Sequence, residues 1–264
     1  MPFEMTYEDF KREILNLTGI NLSYYKEKQM KRRIDALIRK NSINGYFNYV
    51  LALKTNRQLY NEFINYLTIN VSEFYRNPNQ WEVLKNDILP KLIGNKKDLK
   101  VWSCACSTGD EPYTLAMVLN KYLPLESIRI IATDIDEDAI EKAKTGAYMY
   151  KSVEKLPKEY LVKYFTKTGE IYRVKDELKR CVTFSKLDLL ADSYPQACDL
   201  IVCRNVLIYF TEEAKDMVYS KLSQALSNGG ILFVGSTEQI IMPARYNLSP
   251  VKTFFYMKQK NVQN

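Results

Sequence analysis

Through the first 68 residues, apolar positions return every three or four residues, the spacing that gives a helix one buried stripe. The pattern predicts helices over 6–18, 26–40, 43–54 and 57–68, with Gly19, Asn21, Asn41 and Gly45 as punctuation. From about residue 99 the rhythm changes. Short apolar runs (LKVWSCA, SIRIIATDID, CDLIVCRN and GGILFVGS) read as strands, and 111–123, 136–144 and 211–227 read as helices. Such alternation predicts an α/β domain with a parallel or mostly parallel sheet. Gly229-Gly230 is a turn feeding the last of these strands. The stretch 160–187 breaks the alternation. YFTKTGEIYRV and CVTFSKLDL look like short strands, with turn chemistry at Thr168-Gly169-Glu170, and a small antiparallel excursion from the main sheet is expected there. No internal repeat is visible, and 258–264 look like a frayed polar tail.

Composition narrows the function. A chain of 264 residues makes one large domain or two modest ones, and 46% hydrophobic with 26% charged residues is ordinary for a globular protein. The start is polar and acid-bearing, unlike a signal peptide, and no run reaches the ~18 apolar residues of a membrane span. A cytoplasmic protein is expected. Five cysteines without regular spacing read as small buried residues rather than a disulfide framework. The absence of histidine excludes histidine bases, triads and histidine-containing zinc sites, and no metal is expected. A net charge of +7 permits an acidic partner without demanding nucleic acid.

The run VWSCACSTGDEPY carries the first chemical signal. A phosphate-binding turn relies on glycines and a bare, positive helix end, yet here Asp110 and Glu111 occupy that end and no lysine follows Gly109. The acids suit the helix dipole and repel a pyrophosphate. They suit a phosphate-free cofactor with a cationic amino group and a sulfonium, which is the character of S-adenosylmethionine. Plain capping by Ser107 or Thr108, with Pro112 early in the helix, explains the same residues. Asp134 ends the second strand, where open α/β folds hold ribose hydroxyls, while Asp136 caps the following helix. Arg204-Asn205 interrupts an otherwise apolar run at the carboxyl end of a further strand.

LTINVSEFYR (67–76), WSCACSTGDEPY (102–113), ATDID (132–136), CRNVLIYF (203–210) and GSTE (235–238) follow one another in order. Together they resemble the CheR family of chemotaxis-receptor glutamate O-methyltransferases, over nearly the whole chain. The resemblance implies an all-α N-terminal substrate-recognition domain over 1–68. It also implies a Rossmann-like S-adenosylmethionine-binding methyltransferase domain over 69–264, with a small antiparallel β-subdomain at about 160–187. It places Asn70, Ser72 and Arg76 at the cofactor, Arg76 near the reacting methyl group, and Glu111 and Asp134 on the cofactor's polar groups. Asp188 and Leu189 fall beside the adenine, Arg204 and Asn205 complete the pocket, and Tyr209 faces the transferred methyl. Arg76 and Tyr209 are the expected catalytic residues. This sequence departs from the family pattern in four places. Ser72 stands for threonine, Asp110 for glutamate and Asp188 for asparagine, and the late G-H-S-E lacks its histidine at Ser236.

The chemistry tolerates a histidine-free chain, because a glutamate nucleophile (pKa ≈ 4.3) is ionised at neutral pH and needs no base. The expected product alongside the methyl ester is S-adenosylhomocysteine. On the helix over 26–40, Met30, Ile34 and Leu37 share one side, and Lys28, Arg32 and Arg39 the other, with Lys31 beside them. With the resemblance, that basic face is expected to dock on the cytoplasmic helical bundle of chemotaxis receptors. The short link from Tyr164-Phe165 to Val174, with one glycine, points to an enzyme that does not depend on a receptor tail. A monomer is expected, without membrane insertion or nucleic-acid partner: no N-P-P-Y-type tetrad and no aromatic stacking stripe is present. The competing reading is a catalytically inactive S-adenosylmethionine-binding regulatory protein of the same fold.

Overall fold

The computed structural model describes residues 5–68, 72–94 and 98–260. The chain divides into two compact units, Met1–Asn70 with Leu207–Met217, and Val71–Val206 with Val218–Asn264.

The first unit is helical. Thr6 and Asp9 form a reciprocal capping box that starts α1 (Tyr7–Thr18), and Gly19 ends it in the left-handed conformation at φ 76°. α2 (Glu27–Lys40), α3 (Gly45–Thr55) and α4 (Arg57–Thr68) follow, close to the stretches that periodicity predicts. Phe10, Ile14, Ile34, Leu37, Tyr49 and Phe63 are buried. Met30 joins them, whereas Lys28, Lys31, Arg32 and Arg39 are exposed and make no ion pair among the described residues. Leu207–Met217 is held to this unit by backbone bonds. Lys26 N–H donates to the Tyr209 carbonyl at 2.9 Å and Thr211 N–H to the Tyr24 carbonyl at 2.9 Å, with Phe210 edge-on to Tyr25.

In the second unit, the short helices α5 (Pro78–Val83) and α6 (Leu89–Ile93) precede the sheet. Strands β1 (Lys100–Cys104) and β2 (Arg129–Asp134) come first in the chain, with α7 (Asp110–Leu119) between them and α8 (Glu137–Thr145) after. β3 (Ala147–Met149), α9 (Tyr150–Val153), α10 (Lys158–Tyr164), β4 (Phe165–Thr168), β5 (Ile171–Val174) and α11 (Asp176–Lys179) follow. The chain closes with β6 (Val182–Lys186), β7 (Cys198–Cys203), α12 (Glu212–Ala225, of which Val218 onward belongs to this unit), β8 (Leu226–Val234), β9 (Leu248–Lys252) and β10 (Phe255–Lys258). Seven strands form one sheet in the order β6-β2-β1-β7-β8-β10-β9. The first five are parallel, β10 runs antiparallel to β8, and β9 runs antiparallel to β10. The strand order reverses between β1 and β7, so the carboxyl ends of β1, β2 and β7 border the crevice where such sheets bind ligands.

The antiparallel excursion differs from the predicted 160–187. Its three strands are ordered β3-β5-β4, beginning at Ala147 and ending at Val174. Gly169, at φ 60°, turns the β4–β5 hairpin inside the Thr168–Ile171 pair. β6 instead joins the main sheet, parallel to β2 from Ile130–Val182 to Asp134–Lys186. Thr183, Ser185 and Lys186 are exposed, which gives this edge strand the look of a solvent-facing hairpin arm. All five cysteines are buried and free, and no described helix is long and apolar enough to cross a membrane.

Candidate cofactor site

The turn after β1 is built from left-handed residues: φ is 55° at Ala105, 47° at Ser107 and 90° at Gly109. β2 ties it down, with Cys106 N–H donating to the Thr133 carbonyl at 2.9 Å and Ser107 N–H to Asp134 Oδ2 at 2.7 Å. Gly109 precedes α7, and no side chain caps the helix there. A Cβ on Gly109 would stand 2.8 Å from Ala143 Cβ and 3.1 Å from the Tyr148 hydroxyl. Only glycine lets α7 begin this close to α8 and to the small sheet, and Tyr148 donates to the Thr108 carbonyl at 2.6 Å.

The two acids of α7 have different tasks. Asp110, only 1% exposed, accepts from Thr108 Oγ1 at 2.6 Å and from the Ser72 hydroxyl. Its carbonyl accepts from Thr114 Oγ1, which in turn accepts the Tyr75 N–H. Asp110 thus anchors residues 72–75 to α7. Glu111 takes Ser103 Oγ at 2.9 Å and faces Arg204, Nη1 to Oε2 at 3.3 Å. Burial raises the carboxyl pKa of Glu111 despite the opposing pull of Arg204.

Arg204 organises the rest. Its Nη2 donates to the Arg76 carbonyl at 2.9 Å, Gln80 Oε1 at 2.8 Å and Asn77 Oδ1 at 3.2 Å. The guanidinium lies over Phe233 and Trp81, 4.7 and 5.2 Å from the ring centroids. Trp81 Nε1 also donates to the Arg76 carbonyl, at 3.0 Å. The backbone bearing Arg76 is held from the other side as well. Phe74 is fully buried edge-on against Tyr148 and Phe165, its N–H on the Ser152 carbonyl at 3.1 Å. Arg76 itself is half-buried.

Asp134, 5% exposed, also accepts the Asp136 N–H, and burial pushes its pKa up to about 6. Asp136 caps α8 through Asp138 and Ala139, as the sequence predicts. After β6, Asp188 accepts the Leu190 N–H at 2.8 Å, burial raises its pKa, and Leu189 is buried beside it. Asn205, at φ 61°, follows Arg204.

Of the predicted residues, Ser72, Arg76, Glu111, Asp134, Asp188, Leu189, Arg204 and Asn205 all lie in the second unit. Ser72, Arg76, Glu111 and Arg204 are linked by the contacts above, whereas Asp188 and Leu189 lie beyond β6 and make no described bond to them. Asn70 lies outside the described residues. Tyr209 belongs to the first unit, as do Lys28, Lys31, Arg32 and Arg39. Sequence reasoning gave no task to Gln80 or Glu238. Gln80 receives Arg204, and Glu238 accepts the Asn205 and Val206 N–H groups. The GSTE block was the signal for Glu238, while nothing in the sequence marks Gln80.

Carboxylates stand at the carboxyl ends of β1 and β2, on Glu111 and Asp134, and a buried donor, Arg204 Nε, has no partner among the described residues. That set fits a cofactor with ribose hydroxyls and a cationic amino group, and opposes a pyrophosphate at the α7 end. Fold and donor set define the class: an S-adenosylmethionine-dependent methyltransferase. Residues 70–255 match the family described as CheR methyltransferase, SAM binding domain, and residues 5–68 match its all-alpha domain. A chemotaxis protein methyltransferase of Listeria monocytogenes is 40% identical over 97% of this chain and 98% of its own length. Those of Borreliella burgdorferi and Escherichia coli K12 are each 33% identical, covering 88% and 85% of this chain and 90% and 81% of their own. The chain belongs to the CheR methyltransferase family and is an S-adenosylmethionine-dependent protein-glutamate methyltransferase.

Proposed function

We propose that this enzyme methylates glutamate side chains in the cytoplasmic helical bundle of chemotaxis receptors, for sensory adaptation, with the cofactor held by the residues just described. One observation carries the residue assignment. The Arg76 carbonyl is fixed by both Arg204 and Trp81, so the Arg76 side chain starts from an immobile point on the same network as Glu111. S-adenosylmethionine supplies the electrophilic methyl group and its leaving group when bound. Asp134 accepts from the ribose hydroxyls, Glu111 and Ser72 meet further polar groups, Asp188 and Leu189 flank the adenine, and Asn205 completes the pocket. The substrate glutamate arrives ionised, so no protein group has to take a proton. Arg76 orients the carboxylate for in-line attack, and Tyr209 lies beside the methyl path. The gain from Arg76 is geometric, because a cation stabilises the ground-state carboxylate as well. The exposed basic face of α2 docks on acidic receptor helices.

The test is transfer of tritiated methyl from S-adenosylmethionine to receptor-rich membranes, counting label released by base as methanol. Wild type gives base-labile counts. Arg76→Ala depresses turnover by about two orders of magnitude, as expected when a positioning contact is lost, yet binds S-adenosylhomocysteine almost normally. Charge reversal at Arg32 and Arg39 weakens transfer most at low salt. Base-stable label, or equal losses in turnover and cofactor binding for Arg76→Ala, contradicts the reading.

A further inference from the structure

Glu238, in the loop after β8, is 5% exposed, and its carboxylate is surrounded by main-chain donors. Oε1 accepts the Val206 N–H at 2.8 Å, and Oε2 accepts the Gly235 N–H at 3.1 Å and the Asn205 N–H in a still shorter bond. The loop closes on itself through Glu238 N–H to the Gly235 carbonyl at 3.0 Å. Gly235 keeps this arrangement possible: a Cβ there would collide with Glu238 Oε2 and lie 2.9 Å from the Asn205 nitrogen. The turn so gripped is Arg204–Val206, with Asn205 in the left-handed region at φ 61°. The Glu238 charge also favours the charged form of Arg204 and opposes that of Glu111.

We infer that Glu238 is a positioning residue of the cofactor site, acting through Asn205. Three donors converge on one side chain, so only a group that accepts at both oxygens satisfies them. An amide would set its own N–H against a backbone N–H. By gathering the Asn205, Val206 and Gly235 amides, the carboxylate fixes the left-handed turn and with it the place from which the Asn205 side chain reaches the cofactor. This inference rests on the reading that Asn205 contacts the cofactor.

Calorimetric titration of S-adenosylhomocysteine into the full-length protein tests it, using wild type, Glu238→Gln, Asn205→Gly and the double variant. Glycine at 205 keeps the left-handed backbone while removing the side chain. Each single variant is expected to weaken binding about tenfold, the net worth of roughly one hydrogen bond, and the double little more than either. A purely structural role gives no such non-additivity. If Asn205→Gly weakens binding and Glu238→Gln stays within twofold of wild type, the role of Glu238 is overturned and the cofactor reading stands. If Asn205→Gly has no effect, the cofactor reading fails and takes the inference with it. Multiplying losses in the double variant also overturn the inference. Should Glu238→Gln fail to fold, Gly235→Ala, whose methyl meets the same carboxylate, takes its place with the same outcomes.

Discussion

Replacing Arg204 with methionine separates its anchoring task from any contact with a ligand. Methionine keeps most of the stem but removes the guanidinium. Glu111 is then left with an ionisable side chain only 14% exposed and no cation on it, while Arg204 itself is 2% exposed at the side chain. The Arg76 carbonyl loses one of its two donors, and Gln80 loses its partner. Breaking a buried ion pair from one side costs about 3–5 kcal/mol, most of it the uncompensated charge left behind. The lost hydrogen bonds fall within that range rather than adding to it, since Arg76 keeps Trp81 and Gln80 can turn. A loss of about 4 kcal/mol is a large share of the ~5–15 kcal/mol that keeps a typical domain folded. Urea unfolding at pH 7 followed by tryptophan fluorescence reads it directly, because both tryptophans, Trp81 and Trp102, are buried in the second unit. Adding Glu111→Gln removes the stranded charge and should restore at least ~2 kcal/mol. The penalty should also shrink as pH falls, because the folded Glu111 pKa is raised and protonation relieves the burial. A cost below ~1 kcal/mol, or one that Glu111→Gln leaves unchanged, refutes the idea that these two groups hold each other in place.

Two further outcomes follow from the geometry. Asp134 has its folded pKa raised to about 6, so its contribution to stability is present below the ordinary carboxylate range and lost as pH rises through about 6. Ribose binding needs the ionised acceptor, so affinity for S-adenosylhomocysteine should rise between pH 5 and 7 in wild type and stay flat in Asp134→Asn. An unchanged profile in that variant excludes Asp134 as the titrating group. Gly109→Ala combines left-handed strain with a 2.8 Å approach to Ala143 and should cost about 2–4 kcal/mol in the same urea assay. A change within ~0.5 kcal/mol, the size of an ordinary surface substitution, contradicts the tight α7–α8 approach.

The sequence made some levels of this molecule readable and hid others. The four N-terminal helices were legible because each buries a stripe at helical spacing, and β1, β2, β7 and β8 because each is an apolar run ending in chemistry-bearing residues. β6 reads in the sequence as a hairpin arm, because its exposed residues mimic one and its parallel partner β2 lies far away in the chain. β9 gives no strand signal in the sequence, since it carries Pro250 at the sheet edge, where a missing N–H is tolerated. At the site, strand-end position exposed Asp134 and Arg204, and the helix start exposed Glu111. What stayed hidden is how these groups are paired. The bond from Arg204 to Glu111 spans 93 residues and that from Glu238 to Asn205 spans 33, so each exists only once the sheet is assembled. Tyr209 illustrates the same limit: local sequence joins it to Arg204-Asn205, yet the Lys26 N–H on its carbonyl and the Thr211 N–H on the Tyr24 carbonyl tie its segment to the helical unit.

On the proposed reading, the carboxyl edge of β1, β2 and β7 holds the cofactor through these side chains. A crystal structure with S-adenosylhomocysteine measures it most directly. Ribose hydroxyls are expected on the Asp134 carboxylate, adenine against Asp188 and Leu189, and the Asn205 side chain in contact with the ligand. Product bound elsewhere, with Asp134 still engaged by backbone amides alone, would contradict it.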